Sequence, residues 1–260
     1  MSTTPTFEGV HNFRDFGGYA AGARRVRRGL LFRSANHAQA SDADLEALAA
    51  LRLATIVDLR RPHERKRDPS RRWRDFATAV IDNDHGDPPP GEDDPYHLML
   101  RRPDLSVAVI HDWNLRYYRE APFEPRHIDL FTRYFAALSA GTGPVLIHCA
   151  IGRDRTGILA ALTQHILGVH PDDIVHEYLL TNANPRLAER TPDLIKFVTA
   201  HFGRTPDAEI IHALTHIQAE LLATAFAHIA AAYGSLDAYV EKALRIDARS
   251  RDAINAFALE

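Results

Sequence analysis

The sequence predicts an α/β fold in which a central, mostly parallel sheet is flanked by helices. Two short apolar, β-branched runs, 54–59 (ATIVDL) and 145–148 (VLIH), have the length and composition of buried strands. Each follows a helical pattern. The second run leads through a glycine-containing loop into a further helical pattern, TGILAALTQHILG at 156–168. With 260 residues, 45% of them apolar, the chain is long enough to bury a substantial core, and 1–260 reads as one domain.

Along the chain, Gly17-Gly18 marks a turn and 29–33 (GLLFR) a short apolar-basic run. Ser41-Asp-Ala-Asp44 opens a helix whose apolar face is Leu45, Leu48 and Leu51. The basic run 60–74 (RRPHERKRDPSRRWR) reads either as a solvated helix and loop or as a rim that attracts anions, and the first reading is preferred. Segment 82–95 is acidic and rich in Pro and Gly, the composition of a loop. It marks no domain boundary, because the strand at 54–59 needs partners from beyond residue 140. Segments 96–128 and 176–225 are expected to form a helical cap, the first holding Trp113, Tyr117 and Tyr118 as packing aromatics. A helix over 129–140 precedes the second strand. Pro171-Asp-Asp173 starts another, with its acids where the helix dipole favours them. Helices over 212–232 and 236–244 complete the pattern.

A formal net charge of -3 gives no global attraction to nucleic acid or to a membrane. The single cysteine, Cys149, excludes an internal disulfide and any multi-cysteine metal site. None of the fifteen histidines shows a ligand spacing such as His-Glu-x-x-His, so neither metal nor cofactor is expected. No basic-then-apolar leader opens the chain, and no apolar run approaches the roughly 18 residues of a membrane span. A cytoplasmic protein with a reduced Cys149 is expected, with export by a route lacking a signal peptide left open. Oligomeric state is not legible.

The chemistry concentrates in 148–157, HCAIGRDRTG. A loop between a strand and a helix aims its backbone N–H groups at one point, where the helix N-terminus adds about half a positive charge. Such a point binds an anion. The N–H groups of Ala150, Ile151, Gly152 and Arg153 would form the cradle, with Gly152 giving freedom at the bend. Arg155 can grip two phosphate oxygens with its planar fork. A thiol in that field ionises readily, since helix N-termini and cationic neighbours lower cysteine from about 8.5 to about 3.5–7.5. Cys149 is therefore the expected nucleophile, placed behind a phosphorus atom. The Thr156 hydroxyl would either hydrogen-bond the thiolate or serve as a cap. His148 should point away from Cys149 along the strand and brace the loop.

Cys149-x5-Arg155 resembles the signature of the cysteine-dependent phosphatases. The fuller string His148-Cys-x-x-Gly-x-Asp-Arg-Thr-Gly157 resembles the bacterial atypical tyrosine phosphatases of broad, partly lipid-directed specificity. Asn12-Phe-Arg-Asp-Phe-Gly-Gly-Tyr19, Phe32-Arg-Ser34, Ile56-Val-Asp-Leu-Arg60, Glu177-Tyr-Leu-Leu-Thr-Asn182 and Tyr233-Gly-Ser-Leu-Asp-Ala-Tyr239 match in order, so the likeness spans nearly the whole chain. It implies hydrolysis of phosphate monoesters through a phosphocysteine intermediate, on phosphorylated proteins or phosphoinositides. One departure stands out: Arg153 occupies a position where that branch usually has lysine. The proton donor is open between Asp154, preferred for its place in the loop, and Asp58, at the carboxyl edge of a strand parallel to the catalytic one. Both match aspartates of the branch; Asp58 could equally pair with Arg60 or Arg14. Asn12, Arg14 and Asp15 are expected to brace the floor of the site. A rhodanese-like sulfurtransferase and a non-catalytic phosphate-binding module are the competing readings.

Overall fold

A computed structural model describes residues 5–89, 94–183, 192, 194–200, 203 and 205–260. Its centre is a five-stranded sheet of β1 (Arg14–Asp15), β4 (Leu31–Ser34), β5 (Thr55–Asp58), β6 (Ala79–Ile81) and β7 (Val145–His148), in the order β1-β4-β7-β5-β6. Only β1 runs antiparallel; β4, β7, β5 and β6 are parallel. A small hairpin, β2 (Ala20–Ala21) and β3 (Arg24–Arg25), lies outside it. Side chains alternate across the sheet, as strand geometry requires. Leu31, Val57 and Ile147 face the main core, and Phe32, Ile56 and Leu146 face a smaller cluster with Leu53 and Trp73.

Helix α1 (Asp42–Ala50) begins where Ser41 accepts from the Asp44 N–H at 3.2 Å and Asp44 accepts from the Ser41 N–H at 3.0 Å. This reciprocal cap fixes the helix start. Helix α2 (Pro62–Arg67) is built from the basic run and is covered by the acidic loop. Arg65 reaches Asp84 at 2.6 Å, and His63 reaches Asp87 at 2.6 Å. Asp58 pairs with Arg60, Glu124 with Arg61, Asp68 with Arg67 and Asp42 with Arg71, so acids match much of the run's charge, which favours a solvated helix and loop over an open cationic rim.

The expected cap 96–128 ends earlier than the pattern suggested. Helices α3 (Pro95–Leu100) and α4 (Val107–Glu120) form it, whereas α5 (Pro125–Ala140) starts at Pro125 and packs in the main layer, burying Arg126 and His127. Downstream, α6 (Asp154–Ile166) and α7 (Pro171–Leu179) belong to the core. The continuous helix expected over 212–232 is broken into α8 (Ala208–Thr215) and α9 (Ala219–Tyr233). Asn182 holds the break by imitating a backbone partner. It donates to the Ile217 carbonyl at 2.8 Å and accepts from the Ile217 N–H at 2.9 Å. Helices α10 (Leu236–Lys242) and α11 (Ala248–Ala258) close the chain; α11, capped by Asp247, was not anticipated. The part of the expected 176–225 cap at 184–191 lies outside the described residues. Of the rest, α8 and residues 194–200 join α3 and α4 in a satellite cluster of Met99, Leu100, Ile110, Val198, Ile210 and Leu214. This lid has its own apolar cluster, but α4 also enters the main core through Tyr118, and residues 219–225 of the expected cap pack in that core through Leu221, Leu222 and Ala225.

Among the described residues no single helix is long and apolar enough to cross a membrane.

Candidate active site

Parallel pairing sets the carboxyl ends of three strands side by side, with Ser34 and Asp58 each in register with His148. From His148 the chain turns through 149–153 and enters α6 at Asp154. Gly152 makes the bend at φ +68°, where a Cβ would lie 2.3 Å from the Ser34 carbonyl oxygen; only glycine fits. The loop's carbonyls are gripped from outside. The Asn36 Nδ2 donates to Ala150 O at 2.8 Å, the Asn12 Nδ2 to Gly152 O at 2.7 Å and to Ile151 O at 3.4 Å. Arg33 Nη2 donates to Gly152 O at 2.9 Å and to Arg153 O at 3.4 Å. In a planar trans peptide the C=O and the next N–H point opposite ways. Carbonyls drawn outward therefore turn the N–H groups of 151–154 toward the loop's centre. No carbonyl among the described residues accepts from the backbone N–H of any residue from 150 to 156. Cys149 heads this loop and is 1% exposed.

The grip is itself anchored. Glu177, on α7, pairs with Arg14 Nε at 2.6 Å and Arg33 Nη1 at 2.7 Å, and Arg14 in turn donates to the Asn12 Oδ1 at 2.5 Å. Burial alone would push Glu177 up, but Arg33 and Arg14 hold it below the usual carboxylate range. Asp15, expected beside Asn12 and Arg14, does not join them. It accepts from the N–H groups of Gly17 at 2.8 Å and Gly29 at 2.7 Å, because neighbours on a strand project to opposite faces.

Arg155 is seated by Glu64 of α2. Its Nη2 donates to Oε1 at 2.8 Å, its Nη1 to Oε2 at 2.5 Å and to Leu59 O at 3.2 Å. Burial opposes the arginine's charge, but Glu64 and, behind it, Cys149 more than offset this and push its pKa above the ordinary value. Glu64 is correspondingly drawn down to about 2 by Arg155, against the effect of burial.

Asp58 is spent elsewhere. Its carboxylate takes Arg60 Nε at 2.8 Å and Arg60 Nη2 at 2.6 Å, and lies 3.7 Å from His148 Nε2. His148 points away from the loop interior, as its place in the strand requires, and its ring lies 4.7 Å from that of His37. Burial pushes His148 down to about 4. Thr156 is fully buried, and its hydroxyl makes no hydrogen bond among the described residues.

Asp154 stands at the first residue of α6, its side chain 20% exposed. Its Oδ1 accepts from the Tyr118 hydroxyl at 2.8 Å, and Arg153 Nε spans both carboxylate oxygens at 3.1 and 3.0 Å. Arg153 keeps the positive charge that the branch's lysine would bring to the loop. In the structure its Nη1 donates to the carbonyls of Leu214 at 2.7 Å and Thr215 at 3.3 Å, at the carboxyl end of α8. That helix end carries unpaired carbonyls and a partial negative charge, which a guanidinium can satisfy from a distance a lysine's single ammonium could meet at fewer points.

The model for a tyrosine phosphatase family matches residues 5–260. The chain belongs to that family. A Cupriavidus necator protein named provisionally as a tyrosine-protein phosphatase is 34% identical over 245 residues, covering 93% of this chain and 84% of the relative. The triple specificity protein phosphatase PtpB of Mycobacterium tuberculosis is 31% identical over 257 residues, covering 90% of this chain and 92% of its own length. A tyrosine-protein phosphatase of Nostoc commune is 30% identical over 159 residues, 57% of this chain and 47% of the relative.

The sequence analysis placed the loop but gave no supporting role to Arg33, Asn36, Glu64 or Glu177, and took Tyr118 as a packing aromatic. Two carried a signal. Glu64 is the lone acid in the basic stretch 60–67, and Arg33 is the one charge in an otherwise buried strand. Among the described residues no group of three or more His, Cys, Asp or Glu is placed to hold a metal ion.

Proposed function

We propose that this chain hydrolyses phosphate monoesters through a phosphocysteine intermediate on Cys149. The observation that carries the reading is the loop whose carbonyls Asn12, Arg33 and Asn36 hold outward while Glu64 seats Arg155 beside it. A phosphate in the loop would meet inward N–H donors and the Nε edge of Arg155, which Glu64 leaves unused. These donors stabilise the equatorial oxygens most when charge spreads over them in the transition state. In the first step the Cys149 sulfur attacks phosphorus, the ester bond breaks, and the departing oxygen takes a proton from Asp154. In the second, Asp154 takes a proton from water, the oxygen attacks phosphorus, and the thiolate leaves with inorganic phosphate as product.

Asp154 is the better acid–base candidate. It stands at the loop's rim and is partly open, whereas Asp58 has both oxygens on Arg60. Although burial pushes the other way, His148 and Arg60 keep Asp58 below the usual carboxylate range, which suits an orienting anion and not a proton donor. Asp58 then steadies His148, whose Nδ1 lies 3.3 Å from the Cys149 carbonyl. Phosphotyrosine is the proposed substrate, with phosphoserine, phosphothreonine and phosphoinositides as further candidates; the name of the mycobacterial relative supports breadth.

The test is phosphate release from a panel of phosphopeptides and phosphoinositides by wild type, Cys149→Ser, Asp154→Ala and Asp58→Ala. Cys149→Ser should release none while still binding phosphopeptide. Asp154→Ala should lose turnover mainly on poor leaving groups. Thiocyanate formation from thiosulfate, or ligand binding by wild type without phosphate release, would overturn the proposal.

A further inference from the structure

Tyr118 and Tyr178 are buried hydroxyls that the reaction above does not use, yet they end on its proton-transfer group. Both side chains are fully enclosed, on α4 and α7. The Tyr178 hydroxyl donates to the Tyr118 oxygen at 2.7 Å, and the Tyr118 hydroxyl donates to Asp154 Oδ1 at 2.8 Å. The direction is set by proton count: each phenol has one proton to give, and Tyr118 receives from Tyr178, so its own proton is committed to Asp154. Neither ring can turn freely. The two are edge-to-face at 6.3 Å, and the Tyr178 ring packs against Gly157, where even a Cβ would stand 2.9 Å away.

Resting on the reading of Asp154 as the acid and base, we infer that Tyr118 is a positioning residue that decides which Asp154 oxygen carries the transferred proton. Oδ1 is held as an acceptor, so the proton given to the ester oxygen, and later taken from water, travels on Oδ2. Tyr178 enforces the direction from behind. Arg153 Nε, which spans both oxygens, must slacken its bond to Oδ2 when that oxygen is protonated, and its Nη1 keeps it tethered to the lid meanwhile. The charged and titratable groups facing Asp154 are Arg153 from the loop, Tyr96 from α3, Tyr117 and Tyr118 from α4, and Tyr178 from α7.

With the Tyr118 hydroxyl gone, neither Asp154 oxygen is held as the acceptor, and the proton can sit on the oxygen turned from the ester. Transfer to a poor leaving group, which needs the donor in place, should then suffer more than transfer to a good one. A residue that only fills space would change stability or overall rate without moving the ratio between the two.

The experiment measures kcat/KM for wild type, Tyr118→Phe, Tyr178→Phe and Asp154→Asn, with para-nitrophenyl phosphate and an alkyl phosphate. For Tyr118→Phe the alkyl-to-aryl rate ratio should fall about tenfold, as expected for a misplaced proton donor. Tyr178→Phe, which keeps the Tyr118 hydroxyl, should lower the ratio by less, and it serves if Tyr118→Phe does not fold. An unchanged ratio in folded variants, with the alkyl ester no longer turned over by Asp154→Asn, would overturn the role of Tyr118 alone. Alkyl ester turnover that survives in Asp154→Asn would instead bring down the assignment of the acid.

Discussion

Replacing Glu177 by alanine should loosen the loop 149–153 from behind, without touching any residue of that loop. Glu177 is 1% exposed and Arg33 is fully enclosed, and among the described residues the Glu177 carboxylate is the only counter-charge paired with Arg33. After Glu177→Ala, Arg33 would keep its bonds to Gly152 O and Arg153 O but hold an uncompensated buried charge. Arg14 loses less, because it retains Asn12, Thr181 and the backbone carbonyl at 177. Breaking a buried pair by removing one partner destabilises by roughly 3–5 kcal/mol. In a chain of this size about 1 kcal/mol moves Tm by roughly 2–4 °C, so a fall of about 6–20 °C is expected. Glu177→Gln keeps the shape and one acceptor but not the charge, and should lose about half as much. Thermal and urea unfolding would read the loss, and activity at 20 °C would show kcat reduced as Arg33, still bonded to the Gly152 carbonyl, loses the carboxylate that fixes its position. A Tm change under 2 °C for Glu177→Ala, or equal losses for the alanine and glutamine variants, would refute the reasoning that a buried charge is what Glu177 supplies.

The remaining expectations concern the loop and its flanks. Glu64→Gln should lower kcat by about 10- to 100-fold with a smaller change in KM, since Arg155 loses its fixed seat rather than its charge; steady-state kinetics at saturating substrate would show this. Gly152→Ala must relieve a 2.3 Å approach to Ser34 O at a positive φ, and should reduce activity to near background while costing about 1–3 kcal/mol in urea unfolding. His148 is held at about 4 by burial against an ordinary 6.5, so the unfolded chain binds more protons between those values. Stability should therefore be full above pH 6.5 and fall by roughly 3 kcal/mol as pH drops toward 4, a slope that urea titrations should find weakened in His148→Gln.

How far the sequence speaks can be judged residue by residue. The strands at 55–58 and 145–148 were legible because a buried parallel strand is short, apolar and β-branched, which is a local property. The loop from Cys149 to Thr156 was legible because the bend, the helix start and the charges lie within one continuous stretch. The break at 216–218 was not, since its cause is Asn182, 35 residues away. The early end of the cap was hidden for a similar reason: Arg126 and His127 look like surface residues until Leu59 O and Ala121 O are brought to them.

By itself, then, the sequence determined the sheet-and-helix class, the tight turn that leads from Cys149 into a helix and the charges gathered on it, all of which depend on neighbours along the chain. The tertiary structure alone decided that Asp15 leaves the site, that Arg153 reaches the lid, that Asp58 is consumed by Arg60, and that Glu64, Arg33 and Glu177 hold the loop. These are choices among partners separated by 2 to 144 residues in the chain. They are settled by which charges the parallel sheet brings to one edge with no water left to satisfy them.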